Sequence, residues 1–192
     1  MPRKTGPTRL EFIGPYRIAG DQAELEKLPV DPGVYVWCVQ SIDAFYRVHY
    51  VGEASNIYNR TYQHTHNQMK GKSHAYSPED LRRNTKVLVH RAGYGVVPKF
   101  EDKISAKKAN RDYLNCLSVF YATLPEHVEI RNRCQFETAV GHAIEDWGRN
   151  ILAVGRLNKR AGRPKSFEID TDNSVIEGLT GQVLSVFELE RR

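Results

Sequence analysis

The sequence predicts an α+β domain with a small antiparallel or mixed β-sheet flanked by helices, and three stretches carry that reading. Residues 33–52 hold two runs rich in aromatic and β-branched side chains on either side of a short polar break, the pattern of a hairpin. Residues 117–124, LSVFYATL, are apolar enough for a core strand. Over 131–149, Phe136, Val140, Ala143, Ile144 and Trp147 recur at helical spacing as one apolar stripe. Strands and an amphipathic helix bury such faces by packing in layers.

Along the chain, residues 1–30 read as a start punctuated by Pro and Gly, with a short helical segment at 21–27 ending before Pro29. Residues 33–40 form a strand with Val34, Val36 and Cys38 on one face and Tyr35, Trp37 and Val39 on the other. Residues 45–52 form its partner across a Ser41–Ala44 connection. Pairing Gln40 with Phe45 then sets Tyr35 opposite Tyr50. Ser55 or Asn56 caps a helix running to about Gln68, on which Arg60 and His64 share a face. Residues 66–115 are polar and irregular in pattern, with a strand at 87–90 and a short helix at 105–114. The tail alternates at Phe167-Glu168-Ile169 and turns at Asp172-Asn173-Ser174. The whole reads as one domain: a core over about 31–160, an insertion over about 66–115, and a C-terminal extension over 166–192.

Bulk properties narrow the class. At 192 residues, 27% charged and 40% hydrophobic, the chain can bury a proper core. No apolar run approaches the roughly 20 residues of a membrane helix, and MPRKTGPTRLEF lacks the apolar segment of a secretory signal. Cys38, Cys116 and Cys134 are odd in number and far apart, which speaks against a disulfide framework or a zinc knuckle and for a reducing cytoplasm. The net charge is +5 and the pI about 9.1, suiting a polyanionic partner. Residues 66–115 carry eleven Lys or Arg against five Asp or Glu. Residues 151–165 carry Arg156, Lys159, Arg160, Arg163 and Lys165 with no acid. The run is either a solvated loop or a phosphate-binding surface.

Chemistry concentrates in a few positions. Glu137 falls on the margin of the apolar stripe, beside Ile144, where a carboxylate needs a positive partner. That partner is a basic side chain or a divalent cation; Mg²⁺ is commonly held by only one or two carboxylates with phosphates and water. Arg60 is either a surface charge or, near the hairpin tyrosines, a group able to hold a phosphate bidentately. Tyr35 and Tyr50 are core residues or reactive phenols. Phenol, guanidinium and carboxylate together suit phosphodiester hydrolysis.

These residues resemble the GIY-YIG nuclease superfamily. Gly33-Val34-Tyr35 matches its first motif and Tyr50-Val51-Gly52 its second, and Arg60, ten residues after Tyr50, stands where these nucleases carry a catalytic arginine. His64 matches a position filled there by tyrosine or histidine, and Glu137 resembles the family's metal-binding glutamate. The likeness covers roughly 31–64 and 117–158. It implies a one-metal site: Tyr35, relayed by Tyr50 or His64, helps deprotonate a water, Glu137 holds Mg²⁺ or Mn²⁺, and Arg60 stabilises transition-state charge. The family's closing asparagine matches Asn150, thirteen residues after Glu137, or Asn158, whose Arg156-Leu157-Asn158-Lys159 segment looks more like the terminal strand; the reading takes Asn158. Glu53 departs from the pattern, since repair members often carry lysine there.

The resemblance implies a DNA endonuclease acting on double-stranded DNA, closest in organisation to the small stand-alone restriction-type enzymes. Arg156, Lys159, Arg160 and Arg163 would then grip the backbone. A homodimer would suit symmetric cutting of both strands, although the sequence carries no interface signature. Two other readings compete: a catalytically inactive nucleic-acid-binding protein of the same fold, and an α/β protein whose tyrosines are purely structural.

Overall fold

A computed structural model describes residues 10–92, 100–124, 128, 130–147, 168–170, 176 and 183–185. The elements in chain order are β1 (Ile13–Arg17), a 3-10 turn (Leu25–Lys27), β2 (Gly33–Gln40), β3 (Tyr46–Ala54), α1 (Ile57–Met69), β4 (Ala75–Tyr76), α2 (Pro78–Arg82), β5 (Leu88–His90), α3 (Phe100–Asn115), β6 (Leu117–Thr123), α4 (Ile130–Trp147), β7 (Glu168–Asp170) and β8 (Val183–Ser185). This is an α+β architecture around a four-stranded antiparallel sheet of order β1-β6-β2-β3. Among the described residues, no helix is long and apolar enough to cross a membrane.

The alternation in β2 sorts its side chains between two cores. Val34, Val36 and Cys38 pack with Val48, Val51, Phe120 and Ala122 against Phe136, Val140 and Ile144 of α4. Tyr35, Trp37 and Val39 pack on the other face with Val119, Tyr121, Ile57 of α1, Leu81 of α2 and Leu114 of α3. The sheet is therefore covered on both sides, which is why β2 is apolar at almost every position rather than at alternate ones. Cys38, Cys116 and Cys134 are free thiols, and burial pushes that of Cys38 up.

Several expectations need correction. The start of the chain contains β1, an edge strand pairing with β6, and the helical segment expected at 21–27 is only the 3-10 turn. Gly14 and Pro15 interrupt the apolar pattern of β1, and edge strands tolerate such residues. The hairpin register also differs. Gln40 pairs with Tyr46, and a bulge between Trp37 and Cys38 adds a second residue of offset, so Tyr35 faces Gly52 and Trp37 faces Tyr50. In the connection, Ser41 Oγ donates to the Phe45 carbonyl at 2.8 Å and Ala44 takes a φ of 68°.

Residues 66–115 are more regular than their pattern suggested. The helix expected at 105–114 extends over Phe100–Asn115, and β4 pairs with β5. A buried polar seam joins this segment together: Gln68 Nε2 donates to the His74 carbonyl at 2.9 Å and to Asn110 Oδ1, while Asn110 Nδ2 donates to the Ala106 carbonyl at 2.7 Å. His49 on β3 packs against the same segment, hydrogen-bonded to the Tyr113 hydroxyl and edge-on to Tyr76. In the tail, β7 pairs with β8, and buried Ile176 bridges to Tyr46.

Candidate active site

The glycine of each motif triplet is there for space. A Cβ on Gly52 would lie 2.5 Å from both Cζ and Oη of Tyr35 and 2.9 Å from Cε1 of Tyr50. The bare backbone of β3 thus lets the Tyr35 phenol lie across its neighbour strand. A Cβ on Gly33 would lie 2.3 Å from the Ala122 carbonyl oxygen and 2.7 Å from Ile57 Cδ1, so this glycine lets β6 and α1 close on β2. Because Tyr35 and Tyr50 are diagonal cross-strand neighbours, their ring centroids are 6.0 Å apart on one face of the sheet.

α1 brings the next two groups to that face. Asn56 is its cap, with Oδ1 accepting from the Asn59 amide at 2.8 Å. Ile57, Thr61, Thr65 and Gln68 are its buried stripe, which leaves Arg60 and His64 together along one flank. The His64 ring centroid is 6.4 Å from Tyr35, 5.8 Å from Tyr50 and 5.7 Å from Trp37, so the imidazole sits in an aromatic recess. Desolvation there, helped by the Arg60 charge, lowers its pKa to about 4, and His64 is neutral at physiological pH.

Burial distinguishes the two phenols. Tyr35 is fully buried, and among the described residues its hydroxyl makes no hydrogen bond of normal geometry, although Tyr50 and Arg60 stand close enough to influence it. Desolvation pushes its pKa well up, Tyr50 adds to that, and Arg60 opposes it. Tyr50 is only partly buried. Its pKa is also raised, first by desolvation and then by the Glu137 and Glu53 carboxylates, against the lowering influence of Tyr35 and Arg60. Arg60 itself is exposed.

Glu137 reaches this group from α4, half-buried and near enough to Tyr50 to disfavour phenolate. The structure therefore brings together Tyr35, Tyr50, Arg60, His64 and Glu137. Glu53 points the other way from Tyr50, toward α4, where Arg133 Nε donates to Glu53 Oε2 at 3.1 Å. That explains how an acid can follow the second triplet: its charge is taken up by a buried arginine. Sequence reasoning missed Arg133 and the role of Trp37. Arg133 had left a signal, since it lies seven residues before Val140 and eleven before Ile144, at the middle of the apolar stripe. Asn158 and its alternative Asn150, with Arg156, Lys159, Arg160 and Arg163, lie outside the described residues.

Among the described residues, no three His, Cys, Asp or Glu side chains converge as a metal cage. The donor chemistry suits a hard cation of another kind, because Mg²⁺ can use one carboxylate and complete its shell with water and phosphate oxygens. Half-buried Glu137, near the Tyr50 phenol, is a carboxylate of the kind such a cation would use. No protein-family model matches the chain, and no curated protein or solved structure is detectably similar to it.

Proposed function

We propose that this protein is a metal-dependent DNA endonuclease of the GIY-YIG type, hydrolysing phosphodiester bonds in duplex DNA. One observation carries the reading: Tyr35 and Tyr50 from the hairpin, Arg60 and His64 from α1, and Glu137 from α4 meet around one spot, though they come from four separate elements. Packing alone does not need a guanidinium, a neutral imidazole and a carboxylate beside paired phenols.

Each residue then has a task set by its surroundings. Arg60, exposed beside the phenols, offers a fork of donors to the scissile phosphate and stabilises the charge that grows on it. Tyr50, only partly buried, is the phenol that can meet the attacking water. Tyr35, whose hydroxyl is sealed off, acts through Tyr50. Both phenols have raised pKa values, so neither is phenolate at neutral pH and the proton must leave in concert with attack. His64, neutral and in contact with both rings, can pass that proton on to solvent but, with its pKa lowered to about 4, does not keep it. Glu137 would hold Mg²⁺ or Mn²⁺, which when bound supplies charge stabilisation at the scissile phosphate and leaving oxygen. The +5 charge and the basic run at 151–165 would supply the attraction to DNA, and a nuclease core with a basic insertion fits a restriction-type role.

The test is supercoiled plasmid incubated with the protein in Mg²⁺ and, separately, in EDTA. Nicked or linear product in Mg²⁺ alone is expected. Salt-sensitive binding without cleavage would make it a binding protein, and neither binding nor cleavage would leave the tyrosines structural.

A further inference from the structure

The ion pair between buried Arg133 and half-buried Glu53 takes no direct part in the chemistry of the site. Arg133 is 7% exposed, its Nε bonds Glu53 Oε2 at 3.1 Å, and its Nη1 donates to the Val128 carbonyl at 2.8 Å. The guanidinium is thereby held at two ends, by the strand carrying Tyr50 and by the chain entering α4. A pair with one charge buried and the other half-buried gains little stability, because desolvation offsets much of the attraction, and apolar residues of similar volume often do as well. What it does well is fix one arrangement of two elements. Arg133 and Glu137 are four residues apart on α4, hence neighbours on one helical face. Glu53 and Tyr50 are three apart on β3. The bond therefore sets the height and rotation of α4 at the point where Glu137 comes up to Tyr50.

We propose that Arg133, locked by Glu53, is a positioning residue that aims the Glu137 carboxylate at the site and so sets its affinity for a divalent cation. The inference rests on the reading of Glu137 as the metal-holding residue. A lysine cannot replace the arginine fully, since one ammonium cannot span Glu53 and Val128 with the same planar fork. Methionine keeps much of the volume and removes both bonds without leaving an unpaired cation buried.

The experiment measures Mn²⁺ binding through the electron paramagnetic resonance signal of the free ion, without DNA. Wild type is compared with Arg133→Met, Arg133→Lys and Glu137→Gln, and circular dichroism and thermal melting check that each is folded. Glu137→Gln is expected to lose the site. Arg133→Met should weaken Mn²⁺ binding at least fivefold while still folding, with Arg133→Lys between it and wild type. If Arg133→Met fails to fold, Glu53→Ala, which removes the bond from the β3 side while Arg133 keeps the Val128 carbonyl, takes its place with the same expected weakening. Wild-type affinity in a folded variant lacking the pair would overturn the positioning role while leaving the metal reading of Glu137 intact. Equal Mn²⁺ binding by wild type and Glu137→Gln would instead remove the metal reading, and the positioning role with it.

Discussion

Lowering the pH from 7 to 5 should cost this protein about 4 kcal/mol of stability, divided between His49 and His64. His49 is 7% exposed; desolvation, with a smaller contribution from the Lys86 charge, lowers its pKa from 6.5 to about 3. His64 is lowered to about 4. Both folded values lie below the unfolded one, so the unfolded chain binds the proton first. Stability is complete above pH 6.5 and is lost as the pH falls, down to about 4 for His64 and about 3 for His49. At pH 5 the gap between 6.5 and the solution pH is about 1.5 units for each, or about 2 kcal/mol apiece at 1.36 kcal/mol per unit. Urea unfolding followed by tryptophan fluorescence at pH 7, 6 and 5 measures the slope. His49→Gln can still hydrogen-bond Tyr113, and although less stable at pH 7 it should lose only about half as much as wild type between pH 7 and 5. Equal losses in the two proteins would refute the idea that His49 is held neutral by burial.

Other perturbations have definite outcomes. Gly52→Ala drives a methyl into Tyr35 Oη and Cζ, so it should destabilise by about 1–3 kcal/mol in urea titrations and displace the phenol enough to reduce cleavage. Arg60→Ala should slow turnover by on the order of 10²–10³ while barely changing DNA affinity; weak binding with normal turnover at saturation would make Arg60 a docking contact. Neutralising Lys159, Arg160 and Arg163 together should flatten the dependence of log K on log salt by about 0.9 for each phosphate that the protein no longer neutralises. An unchanged slope in that triple variant would mark the run as an ordinary loop.

How much of this was legible in the sequence depended on whether the pattern was local. β2, β6 and α4 announce themselves because their apolar spacing is strong, and the sequence leaves Ser55 or Asn56 as the α1 cap, of which Asn56 is the one that caps. The register of the hairpin was not legible, because neither a longer connection nor a bulge has a fixed residue signature. Two one-residue errors arose, and together they moved Tyr35 by two positions along β3, from Tyr50 to Gly52. A shift of two keeps side chains on the same face, so the phenols still meet. β1 was hidden by Gly14 and Pro15. His49 gave no warning of its burial, since its partners Tyr76 and Tyr113 are 27 and 64 residues away in the chain. The candidate site residues came from the order and spacing of the triplets with Arg60, His64 and Glu137, while Arg133 shows that one charge inside an apolar stripe merits a search for its partner.

The proposed nuclease activity turns on Glu137 completing a hydrolytic site with Tyr35, Tyr50, Arg60 and His64. The most direct test compares wild type and Glu137→Ala on supercoiled plasmid at saturating protein, in Mg²⁺, with gel shifts confirming equal DNA binding. Nicking by wild type and none above background by the variant is expected, with the fold unchanged by circular dichroism. Full cleavage by Glu137→Ala would contradict it.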